Sequence, residues 1–121
     1  MVLVDTSVWV SFLQAGNVRL QRLLDEGKVV SHPFIVGELA CGNLKNRGEI
    51  LALLNALPTA VEARHEEVLQ LIENHHLMGL GLGYVDVHLL AAGRLTSVPL
   101  WTNDKSLKAA AARLRVDFQS D

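Results

Sequence analysis

The chain opens with an apolar, partly β-branched pair, Leu3-Val4, that stops at Asp5, the pattern of a short buried strand. Thr6 or Ser7 can then N-cap a helix that carries Val8, Trp9, Phe12 and Leu13 and breaks at Gly16-Asn17. Leu20, Leu23 and Leu24 recur at helical spacing over about 18–26, and Gly27 ends that helix. Lys28-Val29-Val30 reads as a second strand. Pro33 sits where a helix can begin without losing a needed N–H, and the helix it opens carries Phe34, Ile35, Glu38, Leu39 and Cys41. Further helices are expected over about 46–57, 63–77, 84–95 and 104–114. Short strands are expected at Thr59–Val61, Pro99–Thr102 and Val116–Phe118, and residues 78–83 form a loop with a glycine at every second position.

Strands alternating with helices predict an α/β domain with a mostly parallel sheet covered on both faces, and no repeat or linker divides residues 1–121. Ligands of such sheets bind beyond the carboxyl ends of the strands. Asp5 and Asp104 both follow predicted strands, which would bring two acids to one edge.

Composition narrows the picture. At 121 residues the chain can bury one substantial core. No apolar run approaches the roughly 18 residues of a bilayer span, and the start lacks the basic stretch of a secretory signal, so a cytoplasmic location is expected. Cys41 is the one cysteine, which excludes an internal disulfide and a thiolate zinc cage; its expected place is the helical core. The net charge of −2 argues against a nucleic-acid partner until the acids are sorted. Setting aside Asp5, Glu38, Asp86 and Asp104 leaves nine acids against eleven Lys and Arg.

Each of these four acids has an ordinary reading as a helix cap, a first-turn acid or an ion-pair partner. Asp86 and Glu38, however, sit among apolar neighbours, where a carboxylate suffers desolvation unless it is paired or bound to a cation. Gathered together, the four would repel one another. A hard cation, Mg²⁺ or Mn²⁺, resolves that repulsion through oxygen ligands and can activate water against a phosphodiester.

Other chemistries fit less well. His65-Glu66 begins like a zinc-protease helix, but Leu69 occupies the second histidine position. His32 and His88 read as core or rim residues, and His75-His76 as a helix end. An aspartyl phosphatase of the haloacid-dehalogenase pattern needs an Asp where Ser7 stands, and a receiver domain needs a mid-chain Asp that is absent between Asp25 and Asp86.

Four segments resemble the PIN-domain family, and within it the VapC toxins of bacterial toxin–antitoxin pairs. They are Val4-Asp5-Thr6-Ser7-Val8-Trp9, Gly37-Glu38-Leu39-Ala40-x-Gly42, Gly83-Tyr84-Val85-Asp86-Val87-His88-Leu89-Leu90-Ala91-Ala92, and Trp101-Thr102-Asn103-Asp104-Lys105-x-Leu107. The resemblance spans nearly the whole chain and implies a three-layer α/β/α sandwich. It implies an Mg²⁺- or Mn²⁺-dependent endoribonuclease toxin that stops translation by cutting a structured RNA, such as tRNA or ribosomal RNA. Asp5, Asp86 and Asp104 would hold metal directly or through water. Glu38 would complete the catalytic set, and Thr6 would orient a ligand or water if it does not simply cap a helix. A cognate VapB-like antitoxin would cover the cleft, and a homodimer is expected. The alternative is a non-catalytic PIN-like module that binds RNA or protein, for which clustered acids have no use. Lys45, Arg47 and Lys105 are candidate phosphate contacts; Trp9 and Trp101 are candidate stacking residues, with core packing the competing role.

Overall fold

The computed structural model describes residues 1–119; the last two residues of the expected domain, Ser120 and Asp121, lie outside them. The elements run β1 (Val2–Val4), α1 (Thr6–Ala15), α2 (Val18–Asp25), β2 (Val29–Val30), α3 (Pro33–Ala40), α4 (Arg47–Ala56), α5 (His65–His75), α6 (Tyr84–Thr96), β3 (Leu100–Trp101) and α7 (Lys105–Arg113).

The sheet has the order β2-β1-β3 and is parallel throughout. Val2, Leu3 and Val4 are all buried. Because successive side chains on a strand point to opposite faces, burial of all three requires cover on both sides. Helices provide it, giving an α/β/α sandwich in which α5 packs on α6, α7 on α6, and α1 and α4 on α3.

Two expected strands shrink to single parallel bridges at the sheet edges. Thr59 pairs with Ser31 beyond β2, and Asp117 pairs with Leu100 beyond β3. Pro58 shows why the first stays short: Ser31 donates to its carbonyl at 2.7 Å, but Pro58 has no N–H to continue a ladder.

Helix caps follow the sequence in part. Asn17 caps α2 by accepting from the Leu20 N–H at 3.0 Å, and His32 caps α3 through Nδ1, which accepts from the Phe34 N–H at 3.0 Å. The expected cap of α1 is corrected. Asp5, not Thr6 or Ser7, occupies the cap position, and its carboxylate does not turn back to the helix. Cys41 is also corrected: α3 ends at Ala40, and the thiol lies exposed just past the helix rather than in the core. Among the described residues no helix is long and apolar enough to cross a membrane.

Candidate active site

Asp5 stands where β1 ends, and its backbone N–H donates to the Trp101 carbonyl on β3 at 2.9 Å. Its side chain is buried, so the carboxylate needs donors in place of water. Thr102, at the end of β3, donates its hydroxyl to Oδ2 at 2.7 Å, and Ser7 donates to the same oxygen at 2.8 Å. Both hydroxyl oxygens then accept from the turn that leads into α7. Thr102 Oγ1 takes the Asp104 N–H at 3.0 Å, and Ser7 Oγ takes the Asn103 N–H at 3.0 Å. The network fixes Asp5 and the backbone of Asp104 against each other.

The other two acids are held in a related way. Asp86, in the first turn of α6, accepts the Gly83 N–H on Oδ2 at 2.9 Å. Glu38 accepts the Thr6 hydroxyl on Oε1 at 2.6 Å, a contact set up by the packing of α1 on α3. In Asp5, Asp86 and Glu38 alike, the protein's hydrogen bonds fall on one carboxylate oxygen. Among the described residues the second oxygen of each has no such partner, and neither has the Asp104 carboxylate.

The loop before α6 closes the arrangement. Gly81 has φ of +79°, and a Cβ there would meet Ser106 Oγ at 3.2 Å. Glycine thus permits both the turn and the close approach of this loop to the start of α7. The contact joins the segment leading into α6, which carries Asp86, to the first turn of α7, which follows Asp104.

Burial pushes the Asp86 carboxyl above its ordinary range; the Gly83 N–H opposes the shift, and the charges of Asp104, Asp5 and Glu38 add to it. Asp86 therefore feels all three other acids. Among the described residues no three His, Cys, Asp or Glu side chains are close enough to form a ready-made metal-ligand group. The donor set still fits a hard divalent cation: it is all oxygen, it is mutually repulsive, and each acid offers a free oxygen. Mg²⁺ keeps several of its waters, which matches acids grouped by charge rather than packed into a cage.

The expected residues fare unequally. Glu38 is exposed on α3, with Ile35 and Leu39 turned to the core instead, so desolvation does not single it out. Arg47 is committed elsewhere: it donates to the Ala40 carbonyl at 2.6 Å and the Gly42 carbonyl at 3.1 Å, capping the end of α3. Lys45 lines a groove of about 630 Å³ that also includes Thr6 and Glu38. Lys105 is exposed beside Asp104. Trp9 and Trp101 are buried, so neither presents a stacking surface. Ser7 and Thr102 were missed as site residues. The signal was a hydroxyl two positions from an acid in both Asp5-x-Ser7 and Thr102-x-Asp104.

A parallel sandwich with acids at the carboxyl ends of adjacent strands and on two flanking helices is a PIN arrangement. Residues 2–113 match the PIN domain, and the chain belongs to that family. The crystal structure of PAE2754 from Pyrobaculum aerophilum shares the fold, with a TM-score of 0.61 at 15% identity over 95% of this chain and 88% of that one. Within the family the chain belongs to the VapC group. It is 45% identical over 113 residues to proteins named Ribonuclease VapC32 from two strains of Mycobacterium tuberculosis, CDC 1551 / Oshkosh and H37Rv, covering 93% of this chain and 91% of each relative.

Proposed function

We propose that this chain is a metal-dependent endoribonuclease toxin of the VapC type, with Asp5, Glu38, Asp86 and Asp104 as its catalytic acids. The observation that carries the reading is Asp5: a buried carboxylate with one oxygen anchored by hydroxyls and the other left for a ligand. The similarity to a named ribonuclease over nearly the whole chain supports it.

Asp5, Asp86 and Asp104 would hold Mg²⁺ or Mn²⁺ through their free oxygens or through bound water. When bound, the cation supplies charge neutralisation at the phosphate and a more acidic water. Ser7 and Thr102 keep Asp5 in one orientation, so little reorganisation is needed on substrate binding. Thr6 holds Glu38 by Oε1, which leaves Oε2 to accept the proton of an attacking water. Lys45 lines the groove that includes Glu38, and Lys105 follows Asp104, so their positive charge would favour the approach of RNA phosphates.

The substrate would be a structured RNA of the translation machinery, a tRNA or ribosomal RNA. A VapB-like antitoxin would neutralise the protein by covering the acids, and the working form would be a cytoplasmic homodimer. The test uses purified, antitoxin-free protein and total cellular RNA. Discrete cleavage with Mg²⁺ or Mn²⁺ that EDTA abolishes is expected. RNA binding without cleavage at any divalent concentration would replace the enzyme with a binding module.

A further inference from the structure

Tyr84 opens α6 two residues before Asp86, and it is 45% exposed although its ring is held on two sides. Its hydroxyl bonds to His65 Nδ1 at 2.7 Å. Its ring meets His88 edge-on, with centroids 4.7 Å apart and planes at 82°. His88 is in turn met by Phe34 at 4.7 Å and 73°. Phe34 lies one helical turn before Glu38 on the same side of α3. The ring series Phe34–His88–Tyr84 therefore joins the helix that carries Glu38 to the helix that carries Asp86. His88 is buried and Phe34 half-buried, so Tyr84 is the member with a large open surface.

A tyrosine fixed by a hydrogen bond and a ring contact has little orientational freedom left to lose. An exposed aromatic held in this way is well suited to accept another flat ring. Tyr84 and Asp86 share the first turn of α6 on different sides of the helix, and for a strand held at the acids the flat ring available at that end of α6 is one of its own bases. We propose that Tyr84 is a stacking subsite for one unpaired nucleobase of the RNA, and that His65 and His88 hold its ring in place. The site would thus favour a nucleotide splayed out of a loop or bulge over one paired in a helix. This inference rests on the ribonuclease reading above.

The test measures binding of a short fluorescent oligoadenylate RNA, with Ca²⁺ replacing Mg²⁺ to keep the strand uncut. The strand is used intact and as a series with one base removed at each position in turn. With the unaltered protein, base removal at one position should weaken binding about 5- to 150-fold, the span expected for one aromatic–base stack. Tyr84→Leu should weaken the intact strand to a similar degree and become indifferent to base removal at that position. Tyr84→Phe, which keeps the ring, should stay within about threefold of the unaltered protein, with most of the stacking retained. The subsite is overturned if Tyr84→Leu binds the intact strand normally, or if it remains sensitive to the same abasic position. The abasic series on the unaltered protein stands even if Tyr84→Leu fails to fold, and equal binding across that series also overturns the proposal. If Tyr84→Leu is indistinguishable from the unaltered protein while Asp5→Asn abolishes cleavage, the subsite fails and the nuclease stands. If the unaltered protein neither binds nor cuts RNA, both fail.

Discussion

Thr102 reaches across from β3 to place its hydroxyl 2.7 Å from Asp5 Oδ2, while its oxygen receives the Asp104 N–H at 3.0 Å. One threonine thereby sets the side chain of the first acid and the backbone of the fourth. Thr102→Val keeps the shape and removes both bonds. It should cost about 1–3 kcal/mol in urea unfolding, because a buried carboxylate loses a donor. Cleavage should fall about 10- to 100-fold through misplacement of Asp5, by the energy of a hydrogen bond to a charged group. Since Ser7 shares Oδ2, Ser7→Ala and Thr102→Val should be non-additive in a double-mutant cycle.

Asp86 links activity and stability in opposite directions. Its folded pKa lies above the unfolded value of 3.8, chiefly through burial. Ionisation therefore opposes folding; the penalty is absent below the unfolded value and complete above the folded one. Asp86→Asn, which can still accept the Gly83 N–H, should melt at a higher temperature than the unaltered protein near neutral pH. The gain should shrink as the pH falls toward 3.8. Cleavage should drop by about 10²- to 10³-fold, comparable to losing one principal electrostatic group. Added Mg²⁺ should raise the melting temperature of the unaltered protein and do so less for the variant, as linkage requires.

His32 predicts an acid limit to stability. Burial holds its pKa below the ordinary 6.5, with Glu62 opposing that shift and His88 adding to it. The unfolded chain takes up the proton first, so the contribution is fully present above 6.5 and is lost as pH falls through the folded value. Protonation also ends the Nδ1 acceptance of the Phe34 N–H, which caps α3. Urea unfolding should show stability falling below pH 6.5. His32→Asn, which can still cap the helix, should be less stable at neutral pH for want of the buried ring but should show a shallower slope.

The basic residues separate by what they already touch. Arg47→Ala should lower thermal stability, because the end of α3 loses its two carbonyl contacts. Lys45→Ala and Lys105→Ala should leave stability unchanged. Each should reduce RNA affinity and lower the salt dependence of binding by about one phosphate contact. Fluorescence binding across a salt series distinguishes the two outcomes.

Much of this architecture is legible from residue pattern alone. Leu3-Val4 followed by Asp5, and Trp101-Thr102 followed by Asp104, place two acids at strand ends because a buried apolar run must stop at its first charge. The strands expected near 59–61 and 116–118 were over-read, since apolar and β-branched character cannot show how many ladder bonds an edge will form. Glu38 stands out in the sequence for a reason the structure does not support: its neighbours along the chain are apolar, but α3 buries Ile35 and Leu39 and leaves the Glu38 side chain exposed. The roles of Ser7 and Thr102 were not legible, because one hydroxyl sequence serves caps, turns and carboxylates alike. Arg47 could not be recognised as a cap without knowing that α4 begins beside the end of α3.

The most direct measurement compares RNA cleavage by the unaltered protein and by Asp5→Asn at equal Mg²⁺, after both have been shown to have the same circular dichroism spectrum. Asp5 is predicted to be essential: the unaltered protein should cut, EDTA should stop it, and Asp5→Asn should be slower by about 10²-fold or more. Equal cleavage by the two proteins would contradict the assignment of the acid cluster as the active site.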